Sequence, residues 1–108
     1  MAFDEELAQR LRTAFGSTAV TEKRMFGGLC MMVRGHMCCG IVGDQLMVRV
    51  GPQHYEAALK MAHAKPMTFT GKPMKGMIYV EPQGCRSAAK IAAWLKLALV
   101  FNATLPAK

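Results

Sequence analysis

Two glycine-bearing dipeptides, Arg34-Gly35 and Gly43-Asp44, interrupt an otherwise apolar run between Leu29 and Val50. Pairs of this kind close tight β-hairpins, because they tolerate the positive φ that two-residue turns require. They cut the run into residues 29–33, 36–42 and 45–50, which read as three strands of an antiparallel meander. No other feature restricts the fold so strongly, and the remaining elements have to cover this meander.

Loop length sets the expected register. A two-residue loop at 43–44 places Val42 opposite Gln45, so Ile41 faces Leu46, Cys39 faces Val48 and Met37 faces Val50. A two-residue loop at 34–35 places Met32 opposite Met37 and Cys30 opposite Cys39. One face then collects Cys30, Met32, Met37, Cys39, Ile41, Leu46, Val48 and Val50 and reads as the core side. The other carries Leu29, Met31, Val33, His36, Cys38, Gly40, Val42, Met47 and Arg49. That second face is too apolar for a solvated surface. Leu29, Met31, Val33, Val42 and Met47 are therefore expected at an interface, most simply that of a two-fold dimer.

The flanking segments read as helices and two further strands. Asp4 is an N-cap, Glu5 and Glu6 suit the positive end of the helix dipole, and Leu7, Leu11, Ala14 and Phe15 recur at helical spacing. This predicts a first helix over residues 4–15, with 17–22 as a connection. Gly51-Pro52 opens a second helix reaching about residue 63, its stripe formed by Tyr55, Ala58, Leu59 and Ala62. Residues 67–70 and 77–81 read as strands around a loop at 71–76. A third helix runs from 86 or 87 to 102, with Ile91, Trp94, Leu95, Ala98 and Phe101 as its core stripe. Leu97 and Val100 fall off that stripe and offer a second candidate contact edge. The Gly27-Gly28 pair reads as a bend or bulge entering the meander. The order α-β-β-β-α-β-β-α predicts one α+β domain over residues 1–108, in two layers, with helices on one face of a five-stranded antiparallel sheet.

Composition narrows the function classes. The chain has 108 residues, 52% hydrophobic and 19% charged, which describes a globular domain rather than a disordered one. Net charge is +7, and residues 1–22 hold four of the seven acidic side chains. The basic remainder suits an anionic partner or nucleic acid. Lys23, Arg24, Arg49, Lys72 and Lys75 are the candidate basic patch. Aromatics make up 7%, too few to suggest a stacking platform for single strands. No segment has the apolar length of a membrane span, and acidic residues stand where a signal peptide needs positive charge, so the chain reads as cytoplasmic with reduced cysteines.

Catalytic and metal signatures are not evident. No Cys-x-x-Cys pair occurs, and the histidines at 36, 54 and 63 lack metal spacing. Scarce carboxylates argue against an acid–base hydrolase. Cys30 and Cys39, expected as cross-strand neighbours, are a candidate redox pair, and Met32, Met37 and Cys39 are soft donors suited to copper(I). Buried cysteine more often acts as a small hydrophobe, and ten methionines are first of all gap-filling core residues. No cofactor and no metal are expected.

The segment Lys23-Arg24-Met25-Phe26-Gly27-Gly28, the Gly35 hairpin, residues 46–51 and 69–74, Tyr79-Val80 and Trp94 resemble the N-terminal domain of the TfoX/Sxy competence-regulator family. The resemblance spans about residues 5–105. It implies a two-layer α+β fold similar to secretion-chaperone-like domains. It also implies a regulatory role in DNA-uptake gene expression, exerted in full-length members together with a separate C-terminal domain. It supplies no catalytic residues. The expected function is thus non-enzymatic regulation through protein contact. A nucleic-acid-binding module and a thiol- or metal-responsive sensor are the alternatives.

Overall fold

The computed structural model describes residues 3–25, 27–61, 63–69 and 72–106, with backbone alone at 25, 68–69 and 72–75. The chain order is α1 (Glu5–Phe15), β1 (Thr21–Met25), β2 (Gly28–Val33), β3 (His36–Val42), β4 (Gln45–Arg49), α2 (Tyr55–Leu59), β5 (Ala64–Phe69), β6 (Lys72–Val80) and α3 (Ala88–Asn102). A single 3-10 turn, Pro82–Gly84, precedes α3. All strand pairs are antiparallel, in the order β1-β2-β3-β4-β6-β5. No helix among the described residues is long and apolar enough to cross a membrane.

The sheet therefore has six strands, not five. The extra one is β1, which lies where a connection was expected. Its sequence, Thr-Glu-Lys-Arg-Met, is polar and lacks the alternation that marks a half-buried strand. Its order comes instead from pairing with β2, Thr21 opposite Met32 through Met25 opposite Gly28. The second correction is α2, which spans only Tyr55–Leu59, while residues 64–69 and 72–80 make two longer strands than the pattern suggested. Ala64 and Lys65, expected between the second helix and the fourth strand, join β5 because their backbones pair with Val80 and Tyr79.

Both tight loops form as read. Val42 lies opposite Gln45 and Val33 opposite His36. Arg34 and Gly35 both have positive φ, 57° and 82°, as a primed two-residue turn demands. Away from the turn, however, the register of β2 on β3 shifts. Met32 faces Met37, but Met31 faces Cys39 and Cys30 faces Gly40. Cys38 is the additional residue of a β-bulge.

One inserted residue reverses every face assignment beyond it. Leu29, Met31 and Val33, expected on the open side, are core residues at 5%, 0% and 5% exposure beneath the helices. Cys30, Met32 and Met37, expected in that core, lie on the opposite face. Cys39, Ile41, Leu46, Val48 and Val50 sit in the helix-side core as anticipated, because β3 and β4 keep the predicted register. Cys38 joins them there, since the bulge turns it inward. Gly40 marks the closest approach beside the bulge. A Cβ at that position would lie 2.5 Å from the Leu29 carbonyl oxygen and 2.7 Å from Cε of Met47.

All three helices cover the same face. Leu7, Ala8, Leu11 and Phe15 of α1, Ala58 of α2, and Ile91, Trp94, Leu95 and Ala98 of α3 form one cluster with that side of the sheet. Asp4 caps α1 by accepting from the Glu6 and Leu7 amides at 2.9 and 3.3 Å. Ser87 caps α3 by accepting from the Lys90 amide at 3.1 Å. Trp94 donates its indole N–H to the Gly84 carbonyl at 3.1 Å, fixing α3 against the turn before it. On the far face a smaller cluster of Cys30, Met47, Met67 and Met77 is buried, with Met32, Met37, Val42 and Tyr79 packed on it.

Candidate interaction surface

The thiols come first, because the bulge changes their geometry. All four cysteines are buried and none forms a disulfide. Cys30 and Cys39 lie on opposite faces of the sheet, so the expected cross-strand pair does not exist. Met32 and Met37 stay with the far face while Cys39 enters the helix-side core, which divides the three soft donors. Cys38 and Cys39 instead share a face, and the hydrogen bond that the Cys39 thiol makes to Cys38 pushes it well up, with burial adding to the effect. Burial also raises Cys30 and Cys85. Raised thiols in an apolar setting are poor nucleophiles. No group of three or more His, Cys, Asp or Glu side chains suited to a metal ion occurs among the described residues.

Among the basic residues whose side chains are described, Lys23, Arg24 and Arg49 do not gather. Lys23 and Arg24 are neighbours in a strand and so point to opposite faces. Lys23 shares the face of Cys30, and Arg24 shares that of Leu29, with its guanidinium 5.6 Å from the Phe3 ring centroid. Arg49 lies three strands away, roughly 14 Å at ordinary strand spacing. Its guanidinium stacks 5.3 Å from the Phe101 ring centroid and donates to the Met37 carbonyl at 3.4 Å. The side chains of Lys72 and Lys75 lie outside the described residues; their backbones belong to β6. His36 contacts the Pro106 carbonyl through Nε2 at 2.6 Å, tying the hairpin to the segment after α3.

Among the anticipated interface residues, Met47 is wholly buried and Val42 half-buried. Leu97 is half-buried against the core. Val100 stands out at 53% exposure, and Met61 at 43% is the other large exposed apolar side chain among the described residues. α3 is apolar on most of its circumference, interrupted by Lys90 and Lys96, although only one side of it meets the core. Ala92, Lys96 and Val100 recur at intervals of four along its outer side. Val100 forms a ridge between two shallow grooves. One, of about 400 Å³, runs between α3 and α1 and is lined by Ala14, Ala92, Leu95, Lys96, Leu99 and Ala103 with Val100. The other, of about 320 Å³, is lined by Pro52, Gln53, His54, Phe101 and Thr104 with Val100. α3 carries Lys90 and Lys96 and no acidic side chain.

A further cleft, of about 370 Å³, escaped the sequence reading. It gathers Asp4, Arg10, Asp44 and Arg86 above Leu7, Pro82 and the buried Cys85. These residues come from the cap and body of α1, the β3–β4 loop and the turn before α3. Only the sheet topology brings them together, and no local spacing signals it.

These elements define a small α+β domain in which an open antiparallel six-stranded sheet is backed on one face by three helices. The chain belongs to the family described as the TfoX N-terminal domain, whose model matches residues 11–101. That span runs from the middle of α1 to the penultimate residue of α3. No curated protein and no solved structure gives a match.

Proposed function

We propose that this chain is a non-enzymatic regulatory domain of the competence-regulator type, acting by protein–protein contact through the outer side of α3. The observation that carries this reading is Val100, an exposed β-branched side chain at 53% between two apolar grooves. An exposed apolar ridge with flanking grooves suits a helix laid along it. The local charge is uniformly positive on α3, from Lys90 and Lys96, so the partner segment is an amphipathic helix with acidic flanks. Membership of the TfoX N-terminal domain family supports the regulatory role.

The test compares the wild-type chain with Val100→Glu as bait in native lysate, with and without nuclease. A protein captured by the wild type, retained after nuclease and lost with V100E supports the reading. Capture that vanishes with nuclease favours the nucleic-acid alternative. Capture unaffected by V100E removes α3 as the docking surface.

A further inference from the structure

We infer that the free edge of β1 is a self-association site, at which two copies of the chain join their sheets antiparallel about a two-fold axis through Lys23. β1 and β5 are the two outermost strands. The β5 edge is blunted by Pro66, which has no N–H to offer a neighbour. β1 contains no proline, and Thr21, Glu22, Lys23 and Arg24 are all exposed. Its only protection is charge, and charge protects an edge only where like signs meet.

Parity decides which signs meet. Met25 pairs with Gly28 across a two-residue loop, so this closing pair exchanges hydrogen bonds within the hairpin. Bonding alternates along the ladder, so Lys23 with Cys30 and Thr21 with Met32 are also bonded pairs. Glu22 and Arg24 are the unbonded pairs, and their backbone N–H and C=O groups therefore point outward. A second β1 must meet the first through these outward groups. With the axis inside the outward pair Glu22–Arg24, three two-fold registers satisfy that condition. Centring on Glu22 opposes two glutamates, and centring on Arg24 opposes two arginines. Centring on Lys23 opposes Glu22 to Arg24 of the other copy, twice over.

The attractive register is thus the only one of the three that avoids a like-charge bonded pair. Glu22 already accepts from Arg12 at 2.6 and 2.9 Å. An ionised carboxylate has about four acceptor sites, which leaves room for a second guanidinium. Lys23 faces its own copy in this arrangement, on the opposite side of the sheet, and that repulsion weakens the contact. A five-residue edge is a small interface, so the dimer is weak and concentration-dependent. This site is separate from α3, and neither proposal needs the other.

Sedimentation across a concentration series to about 0.5 mM tests the inference, with folding checked by circular dichroism. The wild type should approach about twofold its monomer mass. Arg24→Glu and Glu22→Arg should each return it to monomer, and the double swap should restore the dimer. Lys23→Thr should shift the midpoint to lower concentration. Lys23→Cys should cross-link to dimer on mild oxidation, because directly opposed unbonded residues lie ~4.5 Å apart at Cα. A monomeric wild type throughout overturns the inference. So does a dimer that both single reversals leave intact, since that dimer uses another surface.

Discussion

Cys38 and Cys39 are neighbours in a strand, yet their side chains meet in one core, with the Cys39 thiol hydrogen-bonded to Cys38. Regular pleating would send them to opposite faces; the bulge brings them together. The arrangement has a chemical consequence. Cys30, Cys39 and Cys85 all have thiols raised by burial or by a neighbouring thiol, so thiolate is scarce at neutral pH. A disulfide-exchange reagent at pH 7.5 should leave all four cysteines of the native chain unmodified on the timescale that labels them in denaturant. Prompt native labelling of one or two thiols would restore the redox-sensor reading.

Met31 gives the sharpest contrast between the two faces. Sequence alternation put it at an interface, whereas it is fully buried beneath the helices. Met31→Ala should cost about 2–5 kcal/mol in denaturant unfolding, the usual range for a buried methionine. Met31→Glu and Met47→Glu should each abolish folding, since both place a charge at a fully buried position. A folded, monomeric double glutamate variant would mean that these side chains reach solvent after all.

The fold was legible wherever the signal was local. Asp4 as a cap, the start of α3 near Ser87, the Arg34-Gly35 and Gly43-Asp44 turns, and the β3–β4 register all follow from neighbouring residues. What the sequence hid depends on contacts distant along the chain. β1 is held by pairing rather than by propensity. The bulge at Cys38 has no composition of its own, and its single extra residue inverted the roles of Leu29, Met31 and Val33. The same logic separates the candidate surfaces. Val100 was visible because it breaks a helical stripe on one element. The cleft of Asp4, Arg10, Asp44 and Arg86 was invisible because three elements build it.

The Arg12–Glu22 pair fastens α1 to the edge strand, and it titrates. The Arg12 guanidinium, by hydrogen bonding, holds the Glu22 carboxyl below its ordinary value of 4.5. A depressed carboxyl contributes stability above the unfolded-state value and loses it as pH falls through the folded one. Both side chains are about a third exposed, so the contribution is small, about 0.2–1 kcal/mol. Glu22→Gln should therefore be less stable than the wild type at pH 7 by that amount. The difference should shrink as pH falls below 4.5 and disappear only once pH has passed below the depressed Glu22 value, where both chains carry a neutral side chain. Measurement at low micromolar concentration keeps self-association out of the comparison. A gap that widens on acidification would contradict the assigned pair.

The end of α3 is clamped by the β2–β3 hairpin through two bonds of different character. Asn102, buried at 3%, donates from its side-chain amide to the Val33 carbonyl at 3.0 Å. Arg34 donates to the Asn102 carbonyl at 2.9 Å, at the negative end of the helix. Asn102→Leu removes a buried hydrogen bond to a carbonyl that keeps its hairpin partner, which should cost about 0.5–1.5 kcal/mol. Arg34 is exposed and sits at φ 57°, a conformation that costs a non-glycine residue roughly 1–2 kcal/mol. Arg34→Ala keeps that strain and loses the bond, so it should destabilise. Arg34→Gly loses the same bond but sheds the strain, so it should lie close to the wild type. Thermal or urea unfolding of the three variants separates the contributions. If Arg34→Gly proves as damaging as Arg34→Ala, the guanidinium clamp outweighs the backbone term and the ordering argued here is wrong.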